Sequence, residues 1–130
     1  MLNTITKLKF CELFLRQDNI LQINIFGSQD IFQNEVKIMV TESLKLTNGI
    51  PYPVIIFVGE FCTFSKDARE YSASEPGKLA CTAEAYVINN YGHNMIGNFY
   101  MKINKPVKPV KFFFAENLAI KWLRDYMVIQ

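Results

Sequence analysis

The sequence is poor in the residues from which most active sites are built. It holds one histidine, one tryptophan and three cysteines in 130 residues. A catalytic histidine needs a nucleophile or carboxylate partner, and a metal centre usually needs more than one imidazole or thiolate. Nothing around Tyr91-Gly92-His93-Asn94 supplies either spacing, so His93 reads as a helix-start or turn residue. Cys11, Cys62 and Cys81 are odd in number and far apart. That excludes a disulfide framework or a Cys-x-x-Cys zinc site, and it fits free thiols in a reducing cytoplasm. No apolar run approaches the ~20 residues of a membrane span. The first residues lack the basic start, apolar centre and cleavage site of a signal peptide, so a cytoplasmic protein is expected. A net charge of +2 is too close to neutral to predict nucleic-acid binding. Glu60, Asp67, Glu70, Glu75 and Glu84 form no carboxylate pair, and Gly92 and Gly97 form no phosphate loop. No cofactor, metal or catalytic set is expected.

What the chain does have is apolar material in regular order. Half of its residues are hydrophobic, including 11 Phe and 6 Tyr, which excludes a disordered chain. Its length suits one domain, residues 1–130, with a core of its own. Phe10 to Arg16 alternates, with Cys11, Leu13 and Leu15 on one side. Leu21, Ile23 and Ile25 alternate against Gln22 and Asn24 after the turn Gln17-Asp18-Asn19, so the two runs predict a β-hairpin with one wet face.

A helix is predicted from about Asp30 to Asn48, with Phe32, Val36, Met39, Val40, Ser43 and Thr47 on one face. Gly49 suits its C-terminal stop, and Pro51 and Pro53 bar continuation. Val54–Val58 lacks alternation, which suits a central strand covered on both faces. Ser65 is placed to cap a helix starting at Lys66, with Asp67 in its first turn, that ends before Pro76-Gly77. Ala83–Asn89 is the next strand. A helix from Tyr91 to Ile103 follows, with Met95, Ile96, Phe99, Tyr100 and Ile103 inward, and Gly97 is explained by close approach of a neighbouring backbone. Val110–Phe114 is the last strand. Leu118, Ala119, Trp122, Leu123, Tyr126 and Met127 form the buried stripe of a final helix. The order is β-β-α-β-α-β-α-β-α, an α/β domain with a mixed sheet.

The segments Tyr52-Pro53-Val54-Ile55-Ile56, Ser65–Tyr71, Ile96-Gly97-Asn98-Phe99, Asn104-Lys105-Pro106 and Ala119 with Trp122-Leu123 carry a resemblance. Nearly the whole chain resembles the SpoIIAA-like superfamily of STAS and SEC14-like domains, and within it a group of small uncharacterised bacterial proteins. STAS antagonists of anti-sigma factors carry Asp-Ser-Ser-Gly at a helix start, where a serine is phosphorylated. That quartet falls on Ser65-Lys66-Asp67-Ala68, so Lys66 or Asp67 occupies the phosphoacceptor position and the usual switch serine is missing. The resemblance implies a non-catalytic protein-interaction domain, regulatory in role, meeting a protein partner or a second copy of itself.

By the same resemblance the contact surface is Phe61, Cys62, Phe64, Ser65, Lys66, Asp67 and Arg69. Phe61 and Phe64 flank Cys62, and an apolar setting would leave its thiol inert. Lys102, Lys105, Lys108 and Lys111 recur every three residues around a proline-marked loop, suited to an anion or ligand headgroup, although such a run is usually a solvated face. The alternative function is a carrier of a small apolar or amphipathic, lipid-like ligand, with Phe99, Phe112 and Trp122 near the pocket and the lysines at its mouth.

Overall fold

The hairpin and the βα alternation build the scaffold that the pattern predicts. The computed structural model describes residues 4–127. Its strands are β1 (Thr6–Lys7), β2 (Cys11–Leu15), β3 (Leu21–Ile25), β4 (Asp30–Ile31), β5 (Tyr52–Val58), β6 (Thr63–Phe64), β7 (Cys81–Val87) and β8 (Val110–Phe113). Its helices are α1 (Gln33–Leu46), α2 (Lys66–Ala73), α3 (Tyr91–Phe99) and α4 (Glu116–Leu123). Six strands form one sheet in the order β1-β2-β3-β5-β7-β8, antiparallel from β1 to β3 and parallel from β3 onward. Each new parallel strand is added on the same side of the last. Right-handed crossovers therefore put α1, α2 and α3 on one face. The last helix, α4, returns over the other face, against β5, β7 and β8.

Two cores result. On the three-helix side Leu13, Leu21, Ile23, Ile25, Val54 and Ile56 pack beneath Val36 and Met39 of α1. On the other side Ile20, Ile55, Ala83 and Ala85 meet Ala119 and Leu123 of α4. The small alanines let α4 lie close, and Trp122 sits between Phe113 and Tyr126 at its margin, its ring tilted to both.

The hairpin's outer face is wet, as its alternation requires. Arg16 donates to Gln22, Gln22 to Asn24, and Asn24 to Glu12, at 3.3, 2.9 and 3.0 Å. Arg16 also forks onto Asp18 across the turn. Asn19 takes the left-handed conformation that the turn needs.

Several boundaries differ from the predicted ones. The first helix begins at Gln33, not Asp30, because Asp30–Ile31 is drawn into a two-residue parallel ladder with Thr63–Phe64. Glu35 accepts the Phe32 backbone N–H at 2.8 Å and marks the helix start, which leaves the Phe32 ring exposed rather than in the core. The third helical segment buries only part of the expected stripe. Tyr100 is buried and Ile96 half-buried as expected, but Met95, Phe99 and Ile103 are exposed, and His93 and Gly97 face inward in their place. The cause is Gly97: an added Cβ would sit 2.8–2.9 Å from three atoms of the Phe112 ring. The close approach is to this side chain, not to a backbone. It rotates the helix so that residues one turn either side of Gly97 enter the core. Beyond Phe99 the helix continues as a π-turn, Tyr100–Asn104, and stops at Lys105 in the left-handed region before Pro106. In α4, Leu118 is likewise exposed, because the inward stripe is centred on Ala119 and Leu123.

Candidate functional site

The loops that leave β3 and β5 at their C-terminal ends are stitched into one rigid rim. Gly59 donates its N–H to Ile25 O at 2.9 Å, and Ser28 donates to Glu60 O at 2.7 Å. A Cβ on Gly59 would fall 2.6 Å from Gly27 N, so only glycine lets these two backbones meet. The β4–β6 ladder fastens the rim further, and Thr63 Oγ1 donates to Asp30 Oδ1 at 2.7 Å. Buried Cys62 donates its thiol to Phe26 O at 3.0 Å.

Between these anchors Phe61 adopts a φ of 63° and holds its ring 79% exposed. Tyr91, at the start of α3, is 82% exposed, and its ring lies 5.9 Å from that of Phe114. Met95, one helical turn on, is 70% exposed. Phe61, Gly92 and Ile96 also border a shared surface hollow. Large apolar side chains are thus presented where β5, β7 and β8 end.

His93 ties this rim to α3. Its Nε2 lies 3.0 Å from Cys62 O, and its Nδ1 lies 3.2 Å from Asn90 Nδ2. A carbonyl oxygen only accepts, so Nε2 carries the proton and Nδ1 accepts from the Asn90 amide. Asn90 also caps the helix by accepting the His93 N–H at 2.8 Å. The turn role expected for His93 holds, and the residue also positions the loop that displays Phe61.

The seven residues expected to form the contact surface divide. Phe61, Lys66 and Asp67 are exposed, Phe64, Ser65 and Arg69 are half-buried, and Cys62 is withdrawn from the surface. Phe64 turns inward with its ring against His93. Ser65 is the cap of α2: its Oγ accepts the Ala68 N–H at 3.1 Å and donates to Asp67.

Beneath α1, α2 and α3 lies a cavity of about 90 Å³, walled by aliphatic side chains of β3, β5 and α1. Polar groups gather at one side of it. Lys78, 0% exposed, ends a 3₁₀ turn, Pro76–Lys78, and donates to Glu84 Oε1 at 2.7 Å, Tyr100 Oη at 2.8 Å and Ser72 Oγ at 3.1 Å. Tyr86 donates to the same Glu84 oxygen at 3.0 Å. All three ammonium hydrogens are therefore used.

Burial alone would lower the Lys78 pKa, but the Glu84 carboxylate and the Tyr100 hydroxyl outweigh it and hold the ammonium above its ordinary value. Burial, then the Glu84 charge, drives Tyr86 well up. Burial also raises Tyr100, against the opposing Lys78 charge. Ser72, Lys78 and Tyr100 have the outline of a serine–lysine nucleophile site. A lysine held charged by Glu84 cannot take the serine's proton, so the arrangement does not activate Ser72.

The sequence reading had left Glu84 among scattered acids and Lys78 unmarked. The available signal was local. Glu84 lies in an otherwise apolar run, Ala83 to Ile88, with only the Tyr86 hydroxyl beside it, which calls for a buried cation.

The four lysines do not converge. Lys108 donates to Cys81 O at 2.6 Å, Lys111 lies over the Phe113 ring on the α4 side, and Lys102 and Lys105 are exposed on the π-turn and its end. Trp122 also lies on the α4 side, away from the cavity that Phe112 borders. Among the described residues no group of acids, histidines and cysteines could hold a metal ion, and no helix is long and apolar enough to cross a membrane.

A hairpin followed by three helix-linked parallel strands, with three helices on one face and one on the other, is the SpoIIAA-like fold. The crystal structure of an uncharacterised DUF3478-family protein with a SpoIIAA-like fold, from Shewanella loihica PV-4, is similar with a TM-score of 0.52. The likeness covers 95% of this chain and 96% of that one at 16% identity, and is one of fold. The chain itself belongs to the DUF7793 family, a domain of unknown function, whose profile matches residues 13–127. No curated protein matches the chain.

Proposed function

We propose that this domain is a non-catalytic, STAS-like interaction module of a reducing cytoplasm, and that its rim of Phe61, Tyr91, Met95 and Phe114 meets a protein partner. The observation carrying this reading is Phe61. A bulky residue in the left-handed region costs about 1–2 kcal/mol, and leaving its ring in water forgoes the gain of burial. A rigid backbone nonetheless holds the ring outward, beside other exposed apolar groups. Exposed apolar patches on a well-ordered scaffold mark contact surfaces. The charged state of Lys78 supports the non-catalytic part of the reading, because Ser72 is left without a base. The Ser65 hydroxyl serves as a helix cap, so regulation by the phosphoserine switch is not part of the reading.

A photo-crosslinking residue placed at Phe61 or Tyr91, in cells that make the protein, tests it. One discrete adduct is expected from both positions and none from Lys45 on the last turn of α1. A second copy of the chain as the adduct would make the module a self-associating one. Absence of any adduct at both rim positions would remove the proposal.

A further inference from the structure

We propose that the cavity beneath α1 and α2 is a binding site for a short aliphatic carboxylate, held at its head by Arg69 and along its chain by Ile25, Met39, Val54 and Ile56. The walls are apolar, and the charges that border the space determine the class of ligand. Lys78 cannot greet a ligand, because Ser72, Glu84 and Tyr100 consume its three hydrogens. Its charge is cancelled by Glu84.

Arg69 differs. No ion pair to Arg69 occurs among the described residues, where the salt bridges are those of Arg16, Lys45 and Lys78. Its Nη1 donates to Phe64 O at 2.6 Å, and its face lies 5.3 Å from the Phe99 ring. Its Nε is buried with no hydrogen-bond partner. A guanidinium with an unanswered charge and an unsatisfied buried donor, bordering an apolar space, is matched by an anionic acceptor. An alkyl ammonium would be repelled by it. An alcohol would satisfy the donor but leave the charge unpaired.

The volume limits the chain. About 90 Å³ corresponds to roughly three water-sized groups, so about three or four methylene or methyl groups fit in it, with the carboxylate itself outside that space at the Arg69 border. A long acyl chain does not, and the lipid-carrier reading narrows to small acids.

The test uses the whole 130-residue chain, unfolded and refolded to strip any carried ligand. Butyrate, valerate, octanoate, 1-butanol and butylamine are titrated at constant ionic strength, with methyl NMR shifts of Ile25, Ile56 and Met39 as the readout. Saturable shifts are expected for butyrate and valerate, with octanoate, the alcohol and the amine weaker by about tenfold or more. Arg69→Gln should reduce valerate affinity by a similar factor. Val40→Phe, which fills the cavity from α1, should abolish the shifts and serves as the deciding variant if Arg69→Gln does not fold. Equal binding of alcohol and acid would overturn the proposal. So would undiminished binding by folded Arg69→Gln or by Val40→Phe, or silent methyls at tens of millimolar ligand.

Discussion

The imidazole Nε2 of His93 lies 3.0 Å from the carbonyl oxygen of Cys62, joining the first turn of α3 to the loop that carries Phe61. The contact is buried, so its loss strands a carbonyl and opens a small void. His93→Ala should cost about 1–3 kcal/mol in urea unfolding. Amide exchange should also quicken from Gly59 to Ser65. Destabilisation with unchanged exchange in that segment would show that the loop is held by its other anchors.

Removing one partner of the Lys78–Glu84 pair leaves a charge in the core. Lys78→Met and Glu84→Gln should each lose about 3–5 kcal/mol. The double variant should lose at least about 2 kcal/mol less than the sum of the single losses. Additive losses in denaturant titrations would mean that the two charges are solvated separately.

The buried thiols should make no change in stability with pH near neutrality and a loss of stability in alkali. Burial, followed by the Glu12 charge, lifts the Cys11 thiol from 9.0 to about 12. Burial, followed by the Glu84 charge, lifts Cys81 by the same amount against the opposing Lys78 and Lys108 charges. Above about pH 9 the unfolded thiols release protons that the folded ones keep, so each rise in pH favours unfolding. Lys78, Tyr86 and Tyr100, also raised, add to the slope at higher pH. The urea midpoint should therefore hold steady up to about pH 9 and then drop, and Cys81→Ala should make the first part of that drop shallower. A wild-type midpoint unchanged one unit above 9.0 would contradict this.

Phe61→Asn separates display from folding. Asparagine tolerates the left-handed region, and the ring it replaces is exposed, so stability should stay within about 0.5 kcal/mol or rise by up to about 1 kcal/mol. Partner capture through a crosslinker at Tyr91 should fall sharply. A large loss of stability would instead place the ring in the structural core of the rim.

The hairpin and the Ser65 cap were legible because each is written in neighbouring residues: a two-residue alternation, or a hydroxyl three positions before the N–H it accepts. The inward stripe of α3 was not. Hydrophobicity favours Met95, Phe99 and Ile103, but the ring of Phe112, brought over from β8, selects Gly97 instead. The polar cluster was hidden for a related reason. Lys78, Glu84 and Tyr100 belong to three separate elements, and only the sheet order brings them within hydrogen-bonding distance. The Phe61–Arg69 region was singled out through a family resemblance, whereas Tyr91 and Phe114 come near it only because β7 and β8 end beside β5.

The side-chain chain from Arg16 through Gln22 and Asn24 to Glu12 has a consequence for assembly. It fixes the pairing of β2 and β3 to a single alignment. A slip of β3 by one residue would thrust Gln22 and Asn24 beneath α1 and expel Ile23 into water. The hairpin therefore carries a check on its own alignment, written in side chains on the face opposite the helices.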